Sequence, residues 1–390
     1  MERPEEFARQ CAQQLQPNDP FALLSYVGTV VQDVENPVPL YRLADLCRSL
    51  GRLDLWRRAV GIAFALDHGT YEQVYHRAMA KGLLGDFSAW ADFEARAFNP
   101  EWGCSRAKLN WTHCLWDGSE DIRDKAILIR RQGGFGDEIL MFRYVMPLAA
   151  KAARVFLDVK PELVALATHN FAQVATVVSM EGEKPPEVDR FIWAMSLPHI
   201  FGEIFPSKTL IAPAPVKRAG PMADLLQVGL CWSCGVTARD HAERSIAFSY
   251  LAPLMELDGV QWHNLQVGAP AADAIDSALL RPEPPLNTFA DTANLIASLD
   301  CVISVDTSVF HVSGGLGIPT FLILRFASDW KWGMTDANPW YPSVQVLRQR
   351  VPGEWSPVVR DLRDRIHDMA VSRLRNGQEA RFAGRRQRSF

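Results

Sequence analysis

The stretch LDCVISVDTSVFHVSGGLGIPTFLIL, residues 299–324, decides how the rest of the chain is read. Residues 301–305 form a short apolar run rich in β-branched side chains, the signature of a buried strand. Asp306, Thr307 and Ser308 follow and can cap a helix start. The helix carries His311 one turn in and reaches Gly314 and Gly315, and Gly317 and Pro319 stop it. Residues 320–324 supply a second apolar strand, closing a β–loop–α–β unit. The helix N-terminus of such a unit presents free N–H groups and a positive dipole end, which suit a phosphate. Glycines such as Gly314 let another group approach the helix closely. The plain alternative is an ordinary crossover whose glycines serve packing, and local pattern does not separate the two.

Length and composition bound the remainder. The chain has 390 residues, 48% hydrophobic and 22% charged, enough for two or three globular domains. A net charge of −4 provides no global field to recruit nucleic acid or an anionic membrane. Seven scattered cysteines, no signal peptide and no apolar run of membrane-spanning length point to a reducing, soluble, cytoplasmic setting. Cys231 and Cys234 form a CxxC in an apolar run, but no second pair stands at zinc spacing, so no metal site is expected; two buried thiols is the reading preferred over a redox pair.

Residues 1 to about 105 read as all-helical. Leu50-Gly51-Arg52-Leu53-Asp54-Leu55-Trp56 is echoed by Leu84-Gly85-Asp86-Phe87-Ser88-Ala89-Trp90, an offset of 85 − 51 = 34 residues. This is the tetratricopeptide period, which predicts helix pairs with the glycine where helices touch and the tryptophan filling the groove; residues 17–24 begin a degenerate third copy. A loop over residues 98–124 contains Pro100, Trp111, Trp116 and Gly118. After it the pattern changes: a strand at 126–130, the glycine-rich turn QGGFGDE at 132–138, an apolar helix over 139–153 and a strand at 155–159. Further strands are predicted at 227–231 and 261–266, with a helix over 289–299. Residues 185–217 are proline-rich and read as a link between domains. The expected division is a helical domain (1–105), two α/β domains (121–215 and 222–355) facing each other across a cleft, and a C-terminal helix with a basic tail (356–390), where Arg385 and Arg386 read as solvated.

The turn at 133–137 fits neither a Walker loop nor GxGxxG. It offers Asp137 in the first turn of a helix, beside Gly133, Gly134 and Gly136. A carboxylate there suits the helix dipole as a cap; a general base in a tight cleft is the functional alternative.

Four segments carry a family resemblance. RRQGGFGDEILMFRYVMPLAAKAARVFLDV (130–159), VGLCWSCGVTARDHAERSIAFSYLAPL (228–254), residues 287–324 and SDWKWGMTDANPWYPSVQVLRQ (328–349) resemble, in order, the heptosyltransferase-like glycosyltransferases of family nine in their tetratricopeptide-bearing branch; GDFSAWADFEARAF (85–98) resembles the last repeat of those proteins. The resemblance implies a GT-B fold, two Rossmann-like domains, and metal-independent inverting transfer from a nucleotide-diphosphate sugar. Asp137 matches the catalytic Asp, which takes the proton of the acceptor hydroxyl. The N–H groups at Thr307 and Ser308, with Arg244 or another cation, would compensate the leaving diphosphate. Asp306 and His311 lie at the same loop. Trp232, Ser233 and Gln266 stand at strand ends facing the cleft, where ring stacking and hydrogen bonds to base or ribose are expected. Gly134, Gly136 and Gly314 complete the binding set. Trp330, Trp332, Trp340 and Tyr341 either wall the cleft or pack it.

The sequence departs from the family pattern at Cys234, which stands where a glycine is usual, and at Phe135 and Glu138. If Glu138 faces the cleft, its charge raises one carboxyl pKa and helps a base; one helical step away, it can instead face solvent. Two functional readings stay open: a glycosyltransferase acting on a protein, glycan or other macromolecular acceptor, and a catalytically inactive scaffold that binds through its helical repeats. A redox protein using Cys231 and Cys234 is a third.

Overall fold

The computed structural model describes residues 2–17, 19–99, 114–180, 186–205, 209–215, 224–236 and 240–387, with side chains up to 375. Pro100 and Trp111 lie outside the described residues, and the side chains of Arg385 and Arg386 outside the described side chains.

The chain opens with helices α1 (Pro4–Gln14), α2 (Pro20–Gln32), α3 (Val38–Ser49), α4 (Leu53–Ala65), α5 (Tyr71–Leu83) and α6 (Ala89–Phe93). Proline in the first turn starts α1, α2 and α3, where its missing N–H is not needed. Asp19 caps α2 by accepting from the Phe21 and Ala22 N–H groups. The 34-residue echo marks equivalent turns: Gly51 and Gly85 both have φ +78°, one between α3 and α4, the other between α5 and α6. These glycines are therefore left-handed helix stops, not contact points between helices. Trp56 fills the core of the helical domain, but Trp90 does not; its ring packs against Trp330 and Trp340 of the last domain, at 4.8 and 5.6 Å between centroids.

The first α/β domain contains β1 (Ala126–Arg130), α7 (Phe135–Met141), α8 (Val145–Ala149), β2 (Arg154–Asp158), α9 (Pro161–Phe171), β3 (Thr176–Val178), β4 (Arg190–Trp193) and α10 (Leu197–Phe201). Its four strands are parallel in the order β3-β2-β1-β4. Two expectations are corrected here. The helix expected over 139–153 starts earlier and is broken between α7 and α8, because Pro147 has no N–H for the carbonyl four residues back. Part of the stretch 185–217 is not a linker: β4 and α10 lie within it, and β4 pairs with β1.

The second α/β domain contains β5 (Leu226–Cys231), α11 (His241–Arg244), α12 (Phe248–Leu251), β6 (Val260–Asn264), α13 (Phe289–Ile296), β7 (Cys301–Val305), α14 (Ser308–Leu316), β8 (Thr320–Leu324) and β9 (Val344–Arg348). Its strands are parallel in the order β6-β5-β7-β8-β9. The last helix, α15 (Ser356–Gln387), is not a detached tail along its first turns. Val358, Leu362, Ile366 and Ala370 enter the core cluster of this domain beside Val228 and Ile303.

The two sheets face each other through helices, α7 against α14 and α9 against α13, and one apolar cluster runs through both domains. Arg143 ties them further: its guanidinium donates to the carbonyls of Phe205 and Trp340 at 2.9 and 2.7 Å. A helical domain followed by two facing Rossmann-like domains is a GT-B-type architecture. In each sheet the strand order reverses at one point, between β1 and β4 and between β5 and β7. Ligands of open α/β sheets bind beyond the strand ends at such points.

Candidate active site

The loops at the two reversal points meet. The turn after β1 ends in Gly134, and α7 begins with Phe135. Gly133 holds φ +84°, and the Asp137 side chain folds over it: a Cβ at Gly133 would lie 2.4 Å from Asp137 Oδ2. The same oxygen accepts from the Gly134 N–H at 2.9 Å, so Asp137 caps its own helix. Its second oxygen, Oδ1, is 3.3 Å from Lys331 Nζ, which reaches across from the other domain.

Facing this turn are the loops after β5 and β7. Thr307 is the N-cap residue of α14 but makes no side-chain cap, so the first N–H groups of this helix are left without a side-chain partner where Thr307 and Ser308 line the cleft. Two adjoining cavities of about 430 and 450 Å³ occupy the cleft and share Phe135, Cys234, Gly235, Thr307 and Ser308. The first is the more apolar and is lined by Ser233, Gln266, Val267, Leu286 and Phe289, among others. The second holds the charges: Asp137, Lys160, Arg244, Asp306, Asp329 and Lys331, together with His311.

The electrostatics of the second cavity are tightly paired. Arg244 Nη2 donates to the Asp306 carbonyl at 2.5 Å and lies 3.5 Å from its carboxylate. Burial pushes the Asp306 carboxyl up, against the pull of Arg244. Lys331 bridges Asp137 and Asp329, the latter at 3.0 Å. Its burial works against the ammonium, but the two carboxylates outweigh that and hold it above the ordinary lysine range. His311 is buried, and its Nδ1 is 3.0 Å from the Tyr341 hydroxyl. Burial, with Lys331, Arg143 and Arg244 nearby, pushes its pKa well below the usual 6.5 and keeps the imidazole neutral.

Of the residues expected from sequence, Gly134, Gly136, Asp137, Ser233, Arg244, Gln266, Asp306, Thr307, Ser308 and His311 line one cavity or the other. Gln266 takes part indirectly as well, its side-chain oxygen accepting from the Trp232 and Ser233 N–H groups at 3.1 and 2.8 Å and so shaping the loop. Other residues lie elsewhere. The Trp232 ring does not face the cleft; it is buried against Phe248, 4.9 Å between centroids. Gly314 meets the Tyr341 ring, where an added Cβ would be 2.6 Å from Cγ. At Gly136 the close neighbour is His311 of the opposite domain, 2.8 Å from an added Cβ, so this glycine admits a domain contact. Glu138 faces neither solvent nor cleft. It is buried, accepts from the Lys160 N–H at 3.0 Å and pairs with the Lys160 ammonium.

Lys331, Asp329 and Lys160 were not legible as site residues. Asp329 and Lys331 lie in the resembling segment 328–349, but nothing local gave either a role, and the partner of Lys331, Asp137, is 331 − 137 = 194 residues away. Cys231 and Cys234 are both free and buried. Burial pushes the Cys231 thiol up to about 12, so it stays protonated. Cys234 lines both cavities, with Sγ 3.6 Å from His241 Nδ1. Among the described residues, no helix is long and apolar enough to cross a membrane, and no cluster of three or more His, Cys, Asp or Glu side chains is placed to hold a metal ion.

No known family model matches the chain. It is similar to Protein FlbA of Caulobacter vibrioides, 28% identical over 329 residues, which cover 75% of this chain and 54% of that protein. The chain thus spans about half the length of the curated relative it matches. Similar solved structures include E. coli ADP-heptose LPS heptosyltransferase II (12% identity, 65% of this chain and 99% of that one, TM-score 0.45). They also include TibC of enterotoxigenic E. coli with ADP-D-β-D-heptose (12%, 66% and 78%, TM-score 0.43). A third is the glycosyl transferase family 9 protein of Veillonella parvula (11%, 66% and 99%, TM-score 0.42). With scores of this size, the fold rests on the observed strand orders and the pairing of the two sheets: a helical domain followed by two Rossmann-like domains enclosing a charged cleft.

Proposed function

We propose that this chain is an inverting glycosyltransferase that moves a sugar from a nucleotide-diphosphate sugar to a hydroxyl group of a macromolecular acceptor, a protein or a glycan, with Asp137 as general base. One observation carries the reading: a carboxylate held at two points, by the Gly134 N–H and by Lys331, faces the open N-terminus of α14 across a cleft between two domains. The apolar cavity suits a base and ribose. The N–H groups at Thr307 and Ser308 suit the diphosphate, as do Arg244 and Lys160.

In this mechanism the acceptor oxygen attacks the anomeric carbon while its proton passes to Asp137. The bond from that carbon to the diphosphate oxygen breaks, and its electron pair leaves with the nucleoside diphosphate. The cationic groups of the cleft supply the compensation that a metal would otherwise provide.

The test is a thermal-shift panel of uridine, guanosine and adenosine diphosphates and their hexose conjugates, with and without EDTA. A ligand at a hundredfold excess over its dissociation constant stabilises the native state by about 2.7 kcal/mol. A shift with one nucleotide family that survives EDTA is the expected result. A well-folded sample that responds to none of them returns the protein to the scaffold reading.

A further inference from the structure

The structure assigns the helical domain a part in the reaction: it seats Trp330, and through Trp330 it fixes Lys331 as the residue that positions Asp137. This inference rests on the reading of Asp137 as the base.

The contacts run in one line. Gly82, in the last turn of α5, lies flat against the Trp330 indole; a Cβ there would be 2.2 Å from Cε3. The same ring packs against Trp90 and Phe93, with centroids at 4.8 and 5.2 Å. Trp330 is thus held by the helical domain, and it does not line the charged cavity. Nearby, Arg48 of α3 donates to the Ser328 carbonyl at 2.9 Å, anchoring the same segment just upstream. On the other side of Lys331, Trp332 is buried in the second α/β domain, its ring 5.1 Å from Phe310 and 5.4 Å from His311. Asp329 closes the turn by accepting from the Lys331 N–H at 2.9 Å. Lys331 therefore stands on a short turn pinned at both ends, once by each domain.

The consequence is chemical. A lysine ammonium on a four-carbon stem is mobile unless its backbone and stem are held. Here it is held, with the side chain 12% exposed and Nζ 3.3 Å from Asp137 Oδ1. The Gly134 N–H occupies the other carboxylate oxygen. With both oxygens fixed, the carboxylate cannot rotate away from an acceptor hydroxyl. When Asp137 takes the proton it loses its negative charge. Lys331 is then left uncompensated on that side, in the step that puts negative charge on the leaving diphosphate. The repeats thus complete the active site whether or not they also bind an acceptor.

Three variants of the full chain test this: Gly82→Ala, Lys331→Met and Lys331→Arg. Ala suits a helix better than Gly, so Gly82→Ala disturbs the Trp330 seat and not the helix itself. The first readout needs no substrate. Reductive methylation followed by mass spectrometry gives the reactivity of each lysine; Lys331 should be among the slowest in the wild type and several-fold faster in Gly82→Ala. Unchanged reactivity overturns the seating.

The second readout uses whichever of UDP-glucose, GDP-mannose and ADP-glucose shifts the wild type, and follows release of the nucleoside diphosphate. Lys331→Met should lower kcat at least a hundredfold with nucleoside diphosphate affinity within about threefold, and Lys331→Arg should recover most of the loss. Gly82→Ala should lower kcat about tenfold at unchanged affinity. Wild-type kcat in Lys331→Met, or parallel loss of affinity and kcat, overturns the positioning role. If the wild type binds and cleaves none of the three sugars, the glycosyltransferase reading fails and the role of Lys331 in catalysis fails with it, while the methylation result still decides the seat.

Discussion

Replacing Asp137 by Asn and by Ala separates the two tasks the structure gives this residue. As a cap, Asp137 accepts from the Gly134 N–H at 2.9 Å; as a charge, it pairs with Lys331 at 3.3 Å. Asn keeps an oxygen for the cap and drops the charge, whereas Ala drops both. Losing an N-terminal cap costs about 1 kcal/mol. Breaking a buried ion pair costs about 3–5 kcal/mol when the remaining charge is left alone. Lys331 is not left alone, because Asp329 stays 3.0 Å away, and Asp137 is itself a quarter exposed, so about 1–2 kcal/mol is the appropriate share. Asn should therefore destabilise by about 1–2 kcal/mol and Ala by about 2–3 kcal/mol. A general base contributes about 10²–10⁴ in rate, which is about 3–5 kcal/mol at the transition state. Both variants should thus lose turnover by at least a hundredfold, while only Ala loses the cap. The assay pairs denaturant unfolding with nucleoside diphosphate release and calorimetric affinity for the diphosphate, which should stay within a few-fold. If Asp137→Asn retains more than a tenth of wild-type turnover, the residue is a cap and the proposed mechanism is wrong.

The remaining predictions concern the cleft between the domains. Burial holds the His311 imidazole neutral in the folded chain, whereas the unfolded chain takes up a proton below the ordinary value of 6.5. The unfolded state then binds more protons, so stability falls as pH drops below 6.5, by at most about 1.4 kcal/mol per unit. Thermal midpoints measured from pH 7.5 down to 5 should fall less in His311→Gln than in the wild type, and parallel curves would remove His311 as the cause. Asp306 and Glu138, whose carboxyls are pushed up by burial, act in the opposite direction, their share of stability decreasing as pH rises above their ordinary range. Gly136→Ala would place a methyl group 2.8 Å from the His311 ring and should cost about 1–3 kcal/mol through overpacking, with turnover reduced; unfolding in denaturant and nucleoside diphosphate release measure both, and an unchanged midpoint would show that the two domains move apart freely.

Local physics made a good part of this protein legible in its sequence. Apolar runs with glycine turns marked most of the strands and placed Asp137 and Thr307 at the starts of helices, because strand burial, helix capping and left-handed turns depend on residues a few positions apart. The 34-residue echo likewise found two equivalent helix stops, Gly51 and Gly85. Packing across long stretches of chain decided the rest. Whether the Trp232 ring stacks on a ligand or fills a core depends on Phe248 and the β5 face beneath it, and the core took it. Whether Glu138 joins Asp137 depends on Lys160, 22 residues on, which captures it. The small size of Gly136 was plain, but that a histidine of the opposite domain needs the space was not. Lys331 had no reading of its own until folding brought it to Asp137 with a tryptophan anchored on either side. Periodicity reports which face of an element is buried, but not which distant residue buries it; in this cleft the partners come from different domains, and only the tertiary structure selects them.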